Sequence, residues 1–120
     1  MPLRALRGAT TIDVDEVEHL TTRMVELFEE LFGRNGIQHD DVVSILFTAT
    51  DDIRCTFPAT AARTYGLGDV PLICARELDV EGGTPQCVRV MLHLETDRAR
   101  DELHHVYLHG AANLRDDLPT

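Results

Sequence analysis

Arg89 stands inside the apolar run Cys87-Val88-Arg89-Val90-Met91-Leu92, and Cys74 and Glu77 close the apolar run before it. Strand alternation puts Val88, Val90, Leu92 and Leu94 on one face and Cys87, Arg89, Met91 and His93 on the other. A guanidinium keeps its proton, so on a largely covered face it needs an anionic or strongly polar partner. Two chemistries meet that need. One is a structural ion pair with Glu77 or another acid; the other is a pocket cation that receives an anionic ligand.

The wider set of candidates is cations at Arg7, Arg63, Arg89 and Arg115, an acid at Glu77, a phenol at Tyr107 and a thiol at Cys74. Such a set suits the binding of a small polyanion and offers no obvious base–nucleophile pair. Residue types alone would allow a Cys74 nucleophile with a histidine base, but no spacing pairs them and a small buried thiol is the commoner fate. Among His104, His105 and His109, only the last two share a strand face, and no acid or cysteine at supporting spacing completes a metal site. Gly82-Gly83 lacks the lysine or helix start of a phosphate loop. The site therefore either binds without reacting or catalyses a step that needs only shape and charge.

Several elements must position these groups. Residues 2 to 12 read as an opening strand in which Gly8, next to Arg7, permits close backbone approach by a neighbouring element or a ligand. Residues 14 to 34 read as a helix: Asp13 and Glu16 resemble a capping box, and Val17, Leu20, Met24, Leu27 and Leu31, joined by Phe28, form an apolar stripe. Gly33, Asn35 and Gly36 end it, and it reads as scaffold without chemistry. Residues 42 to 49, VVSILFTA, predict a central strand covered on both faces. A short helix runs from Pro58 through Arg63 behind an exposed Phe57. Residues 71 to 94 read as strand, glycine turn, strand, with Gly82-Gly83 and Pro85 letting the chain reverse or cross over. Thr96 to Leu103 reads as a loop or helical turn, and residues 104 to 109 alternate as a last strand before the tail. Five strands with one long and one short helix give an α+β fold with a mixed sheet.

At 120 residues and 43% hydrophobic content the chain, 1–120, is expected to form a single domain. A net charge of −10 argues against nucleic acid or an anionic membrane as partner. All 11 basic residues are arginine, so an anion site requires a few of them to converge while the acids lie elsewhere. Three cysteines without CxxC spacing indicate neither a disulfide framework nor a zinc knuckle. No signal-peptide core or membrane-length run is present, which makes the cytoplasm the expected compartment.

Several segments bear a resemblance from end to end. LRGATT near the start, FPATAAR at 57 to 63, PLICARELDVEGG at 71 to 83, CVRVML at 87 to 92, HVYL at 105 to 108 and LRDDL at 114 to 118 resemble, in the same order, the trimeric, Bacillus-type monofunctional chorismate mutases. The resemblance implies a homotrimer forming a pseudo-α/β barrel, with active sites at the subunit clefts, and the Claisen rearrangement of chorismate to prephenate without a cofactor. By position it places Arg7 and Arg89 on the principal cations, Glu77 on the acid, Tyr107 on the phenol and Cys74 on the pocket thiol. It places Phe57, Ala59, Thr60, Arg63, Leu72 and Ile73 on the pocket wall, and Leu114 with Arg115 on the tail that closes over the site. Phe57 to Ile73 of one chain are then expected to face Arg7, Glu77, Arg89 and Tyr107 of its neighbour.

This chain departs from the family pattern in three places. Thr60 stands where these enzymes often present a lysine, Ile73 replaces a smaller polar residue of some relatives, and the tail beyond Arg115 is short. Two rival classes remain at this point. One is a non-catalytic trimeric module that binds a small dicarboxylate or regulates through it. The other is a deaminase-like or hydrolytic enzyme, which would need a water-activating group.

Overall fold

The computed structural model describes residues 1–114. Its regular elements are β1 (Leu3–Thr11), α1 (Val17–Asn35), β2 (Val42–Ala49), α2 (Pro58–Thr64), β3 (Leu72–Arg76), β4 (Cys87–Glu95) and β5 (Val106–Tyr107). Short 3-10 turns at His39–Asp41, Arg100–Glu102 and His109–Asn113 join them. The strands form one sheet in the order β3-β2-β4-β1-β5. β4 runs antiparallel to both β1 and β2, whereas β2–β3 and β1–β5 are parallel. The sheet is therefore mixed, as expected of this α+β sequence. β2 lies between β3 and β4, so the glycine turn at 82–83 carries a crossover rather than a hairpin.

The helices cover one face of the sheet. Leu20, Met24, Leu27, Phe28 and Leu31 of α1 are buried with Leu6, Ile45, Phe47, Val88, Val90, Leu92 and Leu94 in one hydrophobic cluster, while Val17 at the start of the stripe is exposed. α1 packs closely on β1 at Gly8: a Cβ there would meet Leu31 Cδ1 at 2.9 Å and Leu27 Cδ1 at 3.2 Å. The close approach anticipated at this glycine is thus to the helix.

Among the described residues no helix covers the opposite face: a small cluster of Ala9, Cys87 and Ala111 closes one part of it, and Leu3, Leu46 and Ile73 stand exposed. The expectation that β2 is covered on both faces is corrected here. Val42, Ile45 and Phe47 are buried, but Ser44, Leu46 and Thr48 are exposed or half-buried. Among the described residues no helix is long and apolar enough to cross a membrane.

The start of α1 also differs from its sequence reading. The helix begins at Val17 behind an extended Glu16, and no side chain caps it. Asp13 is drawn away by a full charge, because Arg23 Nη2 donates to its Oδ2 at 2.7 Å while Nη1 donates to the Thr11 carbonyl at 2.6 Å. At the other end Gly33 is inside the helix, and Gly36, at φ 59°, ends it. Asn35, just before, is buried. Its Nδ2 donates to the His104 carbonyl at 2.9 Å and its Oδ1 accepts from the His104 N–H at 2.6 Å, which fixes the approach to β5.

Asp15 ties the start of α1 to the loop after β2 by accepting the backbone N–H groups of Arg54 at 3.0 Å and Cys55 at 3.1 Å. The Cys55 thiol's hydrogen bond, with those two amides, holds the Asp15 carboxyl below its usual range. A depressed folded-state value stabilises the fold above the unfolded value and is lost as pH falls through the folded one. Asp15→Asn is therefore expected to melt below the parent at pH 7, and the gap should close as the pH is taken below about 4. Thermal melts at stepped pH check this; a gap that persists undiminished in acid would contradict the assignment.

Candidate active site

Four strands, and the residue that follows β3, deliver side chains to one cavity of about 290 Å³ on the open face of the sheet. Arg7 comes from β1, Leu46 and Thr48 from β2, Arg89 and Met91 from β4, Tyr107 from β5, and Glu77 from the residue that follows β3. Register explains the convergence. Arg89 is paired on one side with Thr48 and on the other with Ala9, and Ala9 is paired in turn with Tyr107. Paired residues share a face, so the inward set Val88, Val90 and Leu92 fixes Arg89 outward.

Glu77 is held at several points. Its backbone N–H donates to the Ala49 carbonyl at 3.0 Å, which anchors the chain just after β3. Arg76, one residue earlier, makes a two-pronged ion pair with Asp51 and holds the Asp51 carboxyl below its usual range. The Glu77 carboxylate then has both oxygens engaged. Oε1 accepts from the Leu78 N–H at 3.1 Å. Oε2 accepts from Thr48 Oγ1 at 2.7 Å and faces Arg89 Nε at 3.3 Å.

Both sequence-level readings of Arg89 therefore describe part of the geometry. It is paired with Glu77, and it lines a cavity. The face it occupies is open rather than covered, for the Arg89 side chain is 47% exposed against 21% for Glu77. The guanidinium also lies against the Cys87 sulfur: burial pushes that thiol up, and Arg89 opposes the rise.

Arg7 is held through its main chain, whose N–H donates to His105 Nδ1 at 2.9 Å. That nitrogen is then an acceptor, which makes the neutral imidazole carry its proton on Nε2. The two histidines that share a strand face in the sequence are spent separately. His105 supports Arg7, and His109 Nε2 pairs with Glu26 Oε1 at 2.7 Å. Among the described residues no group of histidines, cysteines and acids could hold a metal ion.

Four candidates, Arg7, Glu77, Arg89 and Tyr107, meet at this cavity, and the other candidates among the described residues do not. Cys74 is paired with Phe47 and packs against the core, so within this chain it is on the helix-covered face and not among the lining residues. Leu72 is paired with the buried Ile45 and packs the same way, whereas Ile73 is on the open face and 65% exposed. Phe57, 72% exposed, precedes α2; Ala59 is buried in the core, Thr60 is half-buried and Arg63 is exposed. None of them reaches the cavity of its own chain. Leu114 packs with Tyr107 on a small cluster of Ala9, Cys87 and Ala111, and Arg115 lies outside the described residues.

Thr48, Leu46 and Met91 line the cavity without being candidates in the sequence, where VVSILFTA reads as apolar on both sides. The hydroxyls at Ser44 and Thr48 alternate with Ile45 and Phe47, and that alternation was the signal that one face is not core.

A sequence model described as chorismate mutase type I matches residues 3–118. The chain belongs to the type I chorismate mutase family. It is 40% identical over 119 residues to the chorismate mutase AroH of Bacillus subtilis strain 168, covering 98% of this chain and 94% of that protein. Against the chorismate mutase AroH of Thermus thermophilus it is 40% identical over 117 residues, 97% of this chain and 96% of that one. The fold is likewise similar to a solved chorismate mutase of Clostridium thermocellum, with a TM-score of 0.87 and 41% identity over 90% of this chain and 96% of that chain. For a type I chorismate mutase, a cavity that offers two guanidiniums, one carboxylate and one phenol fits the reaction. The rearrangement moves no proton and needs no covalent enzyme intermediate, only fixed charge and shape.

Proposed function

We propose that this chain, as one catalytic domain over residues 1–120, converts chorismate to prephenate in the cavity between Arg7, Glu77, Arg89 and Tyr107, and that it does so as a homotrimer. The observation that carries the reading is the half-exposed Arg89 guanidinium at a cavity, engaged by Glu77 at Nε. In the rearrangement the C–O bond breaks ahead of C–C formation, and negative charge collects on the ether oxygen. A guanidinium aimed at that oxygen binds the transition state more tightly than the ground state, which is the difference that accelerates a reaction.

Arg7 holds a substrate carboxylate, with Tyr107 donating a further hydrogen bond. Glu77 accepts from the ring hydroxyl and balances the local positive charge. The cleft also selects the compact conformer in which the reacting termini meet.

The trimer is supported by what the chain leaves unused. Phe57 and Ile73 are large, apolar and exposed, Arg63 is an exposed cation, and among the described residues no helix covers one face of the sheet. In the trimer, Phe57, Thr60, Arg63 and Ile73 of a neighbour form the outer wall over the cavity, and Ala59 and Leu72, packed into that neighbour's own core, support the wall from behind. Leu114, packed beside Tyr107, borders it, and Arg115 is assigned as a further cation for the dianion. The compartment proposed is the cytoplasm, in keeping with cysteines that form no disulfide, and the role is in aromatic amino-acid biosynthesis.

Following the ultraviolet absorbance of chorismate with purified protein, and identifying the product, tests the reading. Stoichiometric prephenate is the expected result; binding without turnover would identify a dicarboxylate-binding module instead. Cys74→Ser is expected to keep near-parent turnover, because the thiol packs against the core and no step calls for a nucleophile. Inactivity in a folded serine variant would contradict that assignment.

A further inference from the structure

The lone pairs of Glu77 carry one step further, resting on the reading just given. A carboxylate beside a guanidinium favours a two-pronged contact with a pair of parallel N–H donors. Here the nearest approach of Glu77 to Arg89 is from Oε2 to Nε at 3.3 Å, longer than the 2.7 Å bond from Thr48 Oγ1 to the same oxygen. Oε1 is turned the other way, onto the Leu78 N–H at 3.1 Å.

We propose that Thr48 is a positioning residue for the rearrangement: its hydroxyl keeps Glu77 from closing on Arg89 as a two-pronged ion pair and so leaves the terminal guanidinium nitrogens for the substrate. Thr48 is suited to this by its place in the sheet. It is the register partner of Arg89 on β4 and of Ala75 on β3, midway between the cation and the strand that delivers the acid. Its hydroxyl occupies one lone pair of Oε2, and Arg89 Nε faces the same oxygen. Oε1 keeps a second lone pair, which makes it the oxygen that accepts from the ring hydroxyl. Without the hydroxyl, the strongest remaining attraction on Oε2 is the cation itself. The carboxylate then turns side-on to Arg89, and a terminal N–H meant for the ether oxygen is spent on Glu77.

Thr48→Val removes the hydroxyl while keeping a β-branched side chain suited to a strand. It is expected to lower kcat about tenfold or more, the scale of one hydrogen bond to a charged group, with KM within about twofold, since the lost interaction belongs to the transition state. Thr48→Ser restores the hydroxyl and should restore kcat. In a Glu77→Ala background, Thr48→Val should cost nothing further. Parent-like kcat in the valine variant, a serine variant no better than valine, or an undiminished penalty without Glu77 would each overturn the inference. A parent chain inert towards chorismate would instead overturn the functional reading on which it rests, so the two failures are distinguishable.

Discussion

Arg89→Ala is expected to lower kcat by at least about 10²–10³-fold, the cost of deleting one donor that serves a developing oxyanion. The loss should exceed what a missing carboxylate contact would give, because Arg89 is assigned to the charge that appears only as the C–O bond breaks. Removing it also leaves Glu77 with the Thr48 hydroxyl and the Leu78 amide but without a countercharge. Arg89→Lys should recover little. An ammonium is a compact charge without the planar fork, and it cannot meet Glu77 and the ether oxygen from one fixed plane. Steady-state rates on folded variants decide this. If the lysine form turned over at near-parent speed, a general positive potential would suffice, and the central role of Arg89 would be wrong.

Phe28→Ala carries the largest expected effect on stability. Phe28 is fully buried and meets Phe47 of β2 edge-on, with ring centroids 6.2 Å apart, and Tyr65 beyond α2 in a stacked contact at 5.7 Å. One ring thus joins the long helix, the sheet and the short helix. Truncation of a buried phenylalanine costs about 3–5 kcal/mol, a large share of the roughly 5–15 kcal/mol that holds a domain together. Denaturant titration at several protein concentrations measures the loss and separates it from subunit dissociation. A loss under about 1 kcal/mol would show that the site collapses around the deletion without penalty.

The sequence made the fold class readable because its periodicities are clean. The stripe from Leu20 to Leu31 and the alternation around Arg89 both appear as buried and exposed positions in the structure. Local rules failed where long-range partners outbid them. Asp13 resembles a helix cap until Arg23, a turn and a half into the helix, claims its carboxylate. The apolar run of β2 looks covered on both sides until the helices are seen on one face alone, leaving Leu46 and Thr48 open. Arg7, Glu77, Arg89 and Tyr107 were legible as a set through the family resemblance, and the register brings them to one cavity. The resemblance places Cys74 in the pocket with them, whereas within this chain its pairing with Phe47 puts it on the core side of the sheet. Thr48 was illegible because its importance comes from Glu77, distant in the chain and brought near by the parallel pairing of β2 and β3.

If Arg7 grips a substrate carboxylate as proposed, the contact at Gly8 gives the long helix a part in substrate recognition that its own side chains do not reveal. Arg7 is the adjacent residue, and Leu27 and Leu31 press on the far side of the backbone that carries it. Helix bulk thereby sets how far the first strand stands from the helical layer, and with it the depth at which a carboxylate is gripped. Evolution or redesign that enlarges those two leucines would register as altered substrate affinity, though neither side chain ever sees the substrate.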